Sequence, residues 1–273
     1  MDLNIKALQD LFKSTNTSYK FLYFYALIKI IKKNKLKKKI SFDEILAEML
    51  LIAWLPSFQF NLNFRKQDQT KNLLLNLFKQ FPSFIKENKP TNKIISQIYS
   101  AINRILDEQE NSEILEQKFL RYVMVRLIRP FYRRLKNIPE SGKLNMFRTA
   151  KKILIKDYKK EQPPYLIDFD NREIILNRKW SRYIENHFLF LELWVLNEWH
   201  GYMQYQNRNS PSLYNKLKFP EFQRSSLDKQ RKFWKQIIKQ ENIRCIFSGE
   251  KLSENNFDID HFICWNFLAH DQE

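Results

Sequence analysis

Glycine is nearly missing from this sequence, with three in 273 residues. That excludes a glycine-rich phosphate loop, which needs such residues clustered where backbone approaches phosphate. With nine prolines, and with Leu, Ile, Lys, Asn and Phe abundant, the shortage points to a mainly helical chain. Cysteine is just as scarce. Cys245 and Cys264 cannot furnish a tetrahedral zinc site, which takes four ligands, and Ser248 stands where a Cys-x-x-Cys knuckle would place its second thiol. No structural zinc is expected, and free buried thiols fit a reducing, cytoplasmic setting. Long apolar runs are absent too. The longest, Phe21 to Ile28, falls far short of the roughly 20 residues that cross a bilayer, and Met1 to Phe12 has amphipathic helical spacing rather than that of a signal peptide. No membrane partner is expected, and no Ser-His-Asp spacing is present.

What the chain does have is positive charge. The net charge is +17 and the pI about 9.7, on a background of 44% hydrophobic and 15% aromatic residues. The apolar fraction argues for a folded globule of one large or two small domains. The charge calls for a polyanionic partner, of which nucleic acid is the commonest, against the competing account of a lysine-rich surface kept for solubility. The charge is unevenly placed: residues 121–160 hold 13 Lys/Arg against two acids, whereas 245–273 hold one Lys against six acids.

Residues 18–33 read as a helix apolar nearly all round, hence buried. The lysine run 32–39 reads as a solvated connector. Ser41-x-x-Glu44 is a capping box opening a helix to about Trp54, ended by Pro56. Residues 58–69 read as irregular. Helices follow at about 70–80, 92–108, 113–128 (stopped at Pro130) and 144–159. Around Pro130 lie Arg121, Arg126, Arg129, Arg133, Arg134 and Lys136, interleaved with Tyr122, Phe131 and Tyr132, followed by Lys151 and Lys152. Arginine forks among aromatics suit backbone phosphates and exposed bases; the same residues also fit a polar face over a core stripe. Pro163-Pro164 marks a boundary, after which Tyr165–Phe169 and Glu173–Leu176 alternate as a β-hairpin. A single long helix is expected over 180–206, with His187 on its buried stripe. A last helix, 227–240, opens at Ser225-x-x-Asp228 and gathers Leu227, Phe233, Trp234, Ile237 and Ile238 on a face to pack under the C-terminal strands. The resulting division is 1–162, a basic helical region; 163–224, hairpin plus long helix; and 225–273, connecting helix and tail.

In the tail, Cys245 to Leu252 reads as two short strand pieces around a Ser248-Gly249-Glu250 turn, where glycine accepts positive φ. Phe257 to Phe262 alternates as a strand ending in Asp260-His261. Neighbours on a strand point to opposite faces, so a carboxylate can hold a hard divalent cation while an imidazole addresses water. Taken alone, the pair equally fits an edge strand without chemistry.

Cys245-Ile-Phe-Ser-Gly-Glu followed by Phe257-Asp-Ile-Asp-His-Phe-Ile-Cys-Trp-Asn-Phe267 resembles the first half of the HNH nuclease motif. The resemblance covers about a tenth of the chain. It implies His261 as general base, Asp260 as ligand of one Mg²⁺ or Mn²⁺, and DNA as substrate. Cys264 and Asn266 stand where the family has Pro and Ser. The family's second strand, with its Asn, and a helix carrying another ligand belong after residue 273, so half a catalytic site is expected here. His270 and Asp271 read as loop residues. More weakly, Ser18-Tyr-Lys-Phe21, Ile40-Ser-Phe-Asp-Glu44 and Tyr205-Gln-Asn-Arg-Asn209 resemble bacterial HNH proteins with a helical N-terminal region, of restriction, phage-defence or mobile-element type. The expected fold is mainly α: a multi-helix body, a small β-hairpin and an incomplete C-terminal ββα-metal unit. A second copy or another defence-system protein is a further expected partner. The alternatives are a non-catalytic nucleic-acid-binding remnant and a helical partner subunit.

Overall fold

A helix that is apolar on nearly every side has no face to give to water, and Tyr19–Lys33 is one. The computed structural model describes residues 3–35, 37–78, 92–136, 143–218, 226–246 and 248–259. In chain order its elements begin with α1 (Ile5–Gln9), α2 (Tyr19–Lys33), β1 (Lys39–Ser41), α3 (Phe42–Trp54), α4 (Thr70–Phe78), α5 (Asn92–Asp107), α6 (Gln109–Leu115), α7 (Arg121–Ile128) and α8 (Arg133–Lys136). They continue with α9 (Lys143–Glu161), β2 (Tyr165–Asp168), β3 (Glu173–Leu176), α10 (Arg178–Asn186), α11 (Phe188–Gln204) and α12 (Asp228–Gln240). Every residue from Phe21 to Ile28 is buried, and α3, α7, α10 and α11 pack around α2. One contiguous apolar core runs from Ala7 to Leu217. The chain is mainly helical, as its composition predicts.

Ser41 caps α3 as expected: its Oγ accepts from the Glu44 N–H at 3.2 Å, and Asp43 and Glu44 sit where the helix dipole favours acids. Pro56, however, does not end the chain's coiling there. The helix widens into a π-helical turn over Leu55–Gln59, closed by Phe60 N–H to the Leu55 carbonyl at 3.3 Å. Proline lacks the N–H that would continue the i→i−4 ladder, and the wider ring absorbs that loss. The Ser57 hydroxyl then donates to the Ala53 carbonyl at 2.7 Å. A second π-helical turn, Glu116–Leu120, interrupts the helix expected over 113–128, which starts earlier, at Gln109, and ends in a 3₁₀ turn holding Pro130.

The hairpin forms with Tyr165 opposite Leu176 and Ile167 opposite Ile174. Its turn is built by Asp168, which accepts from the Asp170 and Asn171 N–H groups at 3.2 and 3.1 Å and from Asn171 Nδ2 at 2.9 Å. The sheet has a strand that composition did not disclose. Lys39, the last residue of the lysine run, begins a strand Lys39–Ser41 that pairs antiparallel with β3, Ile40 facing Ile174. Three residues carry too little alternation to read as a strand; Ile40, fully buried, is what draws them in.

The helix expected over 180–206 is broken at His187 (φ −114, ψ 22) into α10 and α11. Both halves pack on α2, and the bend lets the chain follow it. His187 is therefore not on a buried stripe. Its exposed ring stacks on Tyr183 at 4.3 Å, with Nδ1 2.9 Å from the Tyr183 carbonyl.

Asp68, 5% exposed, ties the starts of α2 and α4 to the end of α11. Its carboxylate accepts from the Ser18 N–H at 2.5 Å, the Thr70 N–H at 3.1 Å, the Thr70 hydroxyl at 2.6 Å and the Tyr202 hydroxyl at 2.9 Å. Burial, with the carboxylate adding to it, pushes the Tyr202 pKa far up, so the phenol stays a donor.

Candidate nucleic-acid interface

The C-terminal segment is built on α12. Ser226 Oγ accepts from the Asp228 N–H at 3.2 Å at the helix start; Ser225, the expected cap, lies outside the described residues. Past the helix, Arg244 and Lys251 form an antiparallel bridge. Cys245 N–H donates to the Glu250 carbonyl at 2.8 Å, Leu252 N–H to Ile243 at 2.9 Å, and Gly249 N–H to Cys245 at 2.9 Å. Gly249 takes φ +72, the left-handed conformation that the turn requires and that L side chains resist. The Cys245 sulfur accepts from the Ser248 N–H at 3.4 Å, and Arg244 Nη1 donates to the Gly249 carbonyl at 3.0 Å. The two short strand pieces thus reduce to a single bridged pair closing a tight knuckle.

The stretch that follows is strapped back to α12. Arg231 Nη1 donates to the Phe257 carbonyl at 3.3 Å, Nη2 to Asp258 Oδ1 at 3.0 Å, and the guanidinium lies 5.6 Å from the Phe257 ring centroid. Lys239 Nζ is 3.2 Å from Glu254 Oε2. Asp260, His261, Cys264, Asn266, His270 and Asp271 lie outside the described residues. Among the described residues no group of three or more His, Cys, Asp or Glu side chains is placed to hold a metal ion, and Asp258, the described carboxylate nearest Asp260 in the chain, is paired with Arg231.

The face of α12 differs from expectation. Of Leu227, Phe233, Trp234, Ile237 and Ile238, only Ile238 is buried. Phe233 is 57% and Trp234 42% exposed, their rings edge to face at 5.9 Å. Adjacent helical residues point about 100° apart, and among the described residues of the segment that follows only Phe257 is a buried apolar side chain, so two large rings in succession are not both covered. Lys229 and Lys232 are exposed on the same helix. Lysine next to solvent-facing rings is the pairing that grips a phosphate backbone and stacks its bases.

The arginine cluster of the body is divided. Arg133, Arg134 and Lys152 are exposed on α8 and α9, which pack together, with Arg134 Nη1 3.8 Å from Asp157 Oδ2. Lys151 is paired with Asp170 at 2.9 Å and lies 5.7 Å from the Phe169 ring. Arg129 is folded inward, its Nε donating to the Leu135 carbonyl at 2.9 Å. Arg121 and Arg126 are half-buried on α7. Lys136 closes α8, and its side chain is outside the described set. Phe131 and Tyr132 are core residues at 1% and 0% exposure, so these aromatics are not a stacking platform. Solvent-facing rings beside lysines are found instead on α12, at Phe233 and Trp234.

Arg172, which no motif flagged, joins three segments: Nη2 reaches Asp43 Oδ1 at 3.1 Å and Ser112 Oγ at 2.6 Å, and Nε reaches Glu116 Oε2 at 3.2 Å. Burial raises the Glu116 pKa, with Arg172 and Arg121 pulling the other way.

Comparison of the chain with family models, with curated proteins and with solved structures gives no match.

Proposed function

We propose that this chain carries an HNH-type, divalent-metal-dependent DNA endonuclease unit on a basic helical body. The observation that carries the reading is the order Cys245, Ser248-Gly249, Asp260-His261 in the tail. The positive-φ glycine closing the Cys245 knuckle, the exposed Phe233-Trp234 pair beside Lys229 and Lys232, and the net charge of +17 support it. In this reading His261 accepts a proton from the attacking water and Asp260 helps to hold one Mg²⁺ or Mn²⁺. When bound, that ion supplies Lewis-acid stabilisation at the leaving 3′ oxygen. The role that follows is restriction, phage defence or mobility of a genetic element.

Plasmid nicking in Mg²⁺ or Mn²⁺ is the test. The 273-residue chain is expected to cut weakly or not at all, because the motif it carries supplies Asp260 and His261 without the family's further ligands. Any metal-dependent cleavage is expected to be lost in His261→Ala. Metal-dependent cleavage that is indifferent to His261→Ala refutes the assignment. The exposed α12 pair also favours a second reading, a nucleic-acid-binding protein without catalysis. That reading requires DNA binding that is unchanged in His261→Ala, with no metal-dependent cleavage.

A further inference from the structure

On the body, away from the tail in sequence, α7 and the loop leading into α2 form a small cleft of about 40 Å³ lined by Ser14, Thr15, Thr17, Lys20, Tyr122 and Arg126, with Asn16, Tyr19 and Val123 completing the wall. None of these residues is acidic. Arg126 is half-buried there, and its Nε is shielded from solvent with no hydrogen-bond acceptor. An arginine on a helix flank ordinarily runs its stem along apolar surface and leaves its fork in water. Here a donor of the fork has left water without finding a partner, a situation that buried polar groups rarely tolerate.

The other groups in the cleft are donors as well. Lys20 Nζ donates to the Leu11 carbonyl at 3.3 Å and the Ser14 carbonyl at 2.9 Å, which fixes the loop and the ammonium charge beside the cleft. Ser14, Thr15 and Thr17 contribute hydroxyls and Asn16 an amide. Burial pushes the Tyr19 pKa up to about 12, so its phenol stays protonated. The first turn of α2 brings its partial positive charge to the same place. Asp68, the carboxylate at that helix start, does not line the cleft, and its oxygens are engaged by Ser18, Thr70 and Tyr202.

We propose that this cleft binds a phosphate group, with Arg126 as its principal charge partner and Lys20 and the Ser14–Thr17 loop completing the cradle. The inference does not rest on the nuclease reading. Free phosphate and the backbone phosphate of a nucleic-acid strand present the same tetrahedral oxyanion to the site.

The test titrates the protein with inorganic phosphate, and separately with a 5′-phosphorylated dinucleotide, by calorimetry at an ionic strength held constant with chloride. Arg126→Gln is expected to weaken binding about tenfold or more, the usual worth of hydrogen bonds to a charged group. Asn16→Asp is isosteric at an exposed position and sets a carboxylate on the cleft wall. It is expected to weaken binding too, and it serves if Arg126→Gln does not fold. Binding of inorganic phosphate that falls in both variants supports the site as one for the free anion. Binding seen only with the dinucleotide, and lost in both, supports it with a nucleic-acid strand as the source. No saturable binding of either probe by the unmodified protein, or binding that survives both substitutions, overturns the proposal.

Discussion

Arg231 Nη2 sits 3.0 Å from Asp258 Oδ1, so α12 grips the chain two residues before the Asp260-His261 pair. The same guanidinium also donates to the Phe257 carbonyl and covers the Phe257 ring. Arg231, with the Lys239–Glu254 pair, thus links the exposed aromatic helix to the approach to the proposed nuclease residues.

Arg231→Met should leave global stability within ~1 kcal/mol, because the ion pair is solvent-exposed. Its effect should be local, with faster limited proteolysis within 241–259 than in the unmodified protein. Equal cleavage rates there would show that the strap has no mechanical role.

Asp68→Ala should be among the most damaging single changes in the body. It leaves the Ser18 N–H, the Thr70 N–H and hydroxyl, and the Tyr202 hydroxyl without their acceptor in a buried place. Hydrogen bonds to a charged group contribute about 1.5–3 kcal/mol each, so a loss of at least about 3 kcal/mol is expected in urea unfolding.

The Asp168 pKa is lowered, chiefly by the Asn171 side-chain hydrogen bond and then by the Asn171 backbone N–H. A depressed carboxylate contributes stability above its unfolded value of about 3.9 and loses it as pH falls through the folded value. The stability gap between the unmodified protein and Asp168→Ala should therefore be widest above about pH 4 and narrow in stronger acid. Unfolding followed across that range is the check.

Gly249→Ala forces a side chain into the φ +72 conformation. The strain is about 1–2 kcal/mol, and it should appear as faster hydrogen exchange at the Cys245 and Gly249 amides, both bonded across the turn.

Phe233→Ala with Trp234→Ala should weaken binding of a single-stranded oligonucleotide by about 1–3 kcal/mol per stacked base, with little change in melting temperature because both rings face solvent. Fluorescence anisotropy over a salt series separates the contributions. Charge reversal at Lys229 and Lys232 should flatten the dependence on log salt, and ring removal should leave the slope alone.

Much of the body is legible in one dimension because its causes are local. The apolar run of α2, the Ser41 cap, the hairpin around Asp168 and the knuckle at Gly249 each rest on residues within a few positions of one another. The π-helical turn past Pro56, the break at His187 and the exposure of Phe233 are not legible in this way. In each, the local spacing permits a straight continuous helix or a buried face, and the outcome depends on what the surrounding chain does or does not pack against it. For the proposed site the order of the Cys245–Phe267 run is a property of sequence alone, and its chemistry rests on that run.

By itself, then, the sequence determined helical content, the basic charge, the positions of the caps and turns, and the motif order in the tail. Those follow from backbone preference and composition, which act over one or two turns of chain. Only tertiary structure decided that Lys39–Ser41 joins the hairpin as a third strand, that Asp68 meets Tyr202, that Phe233 and Trp234 of α12 face solvent while Phe131 and Tyr132 join the core, and that Arg126 Nε is shielded without an acceptor beside a cleft lined by no acid. Each depends on whether segments far apart in sequence come into contact, and burial is settled by those contacts rather than by the residue's own neighbours.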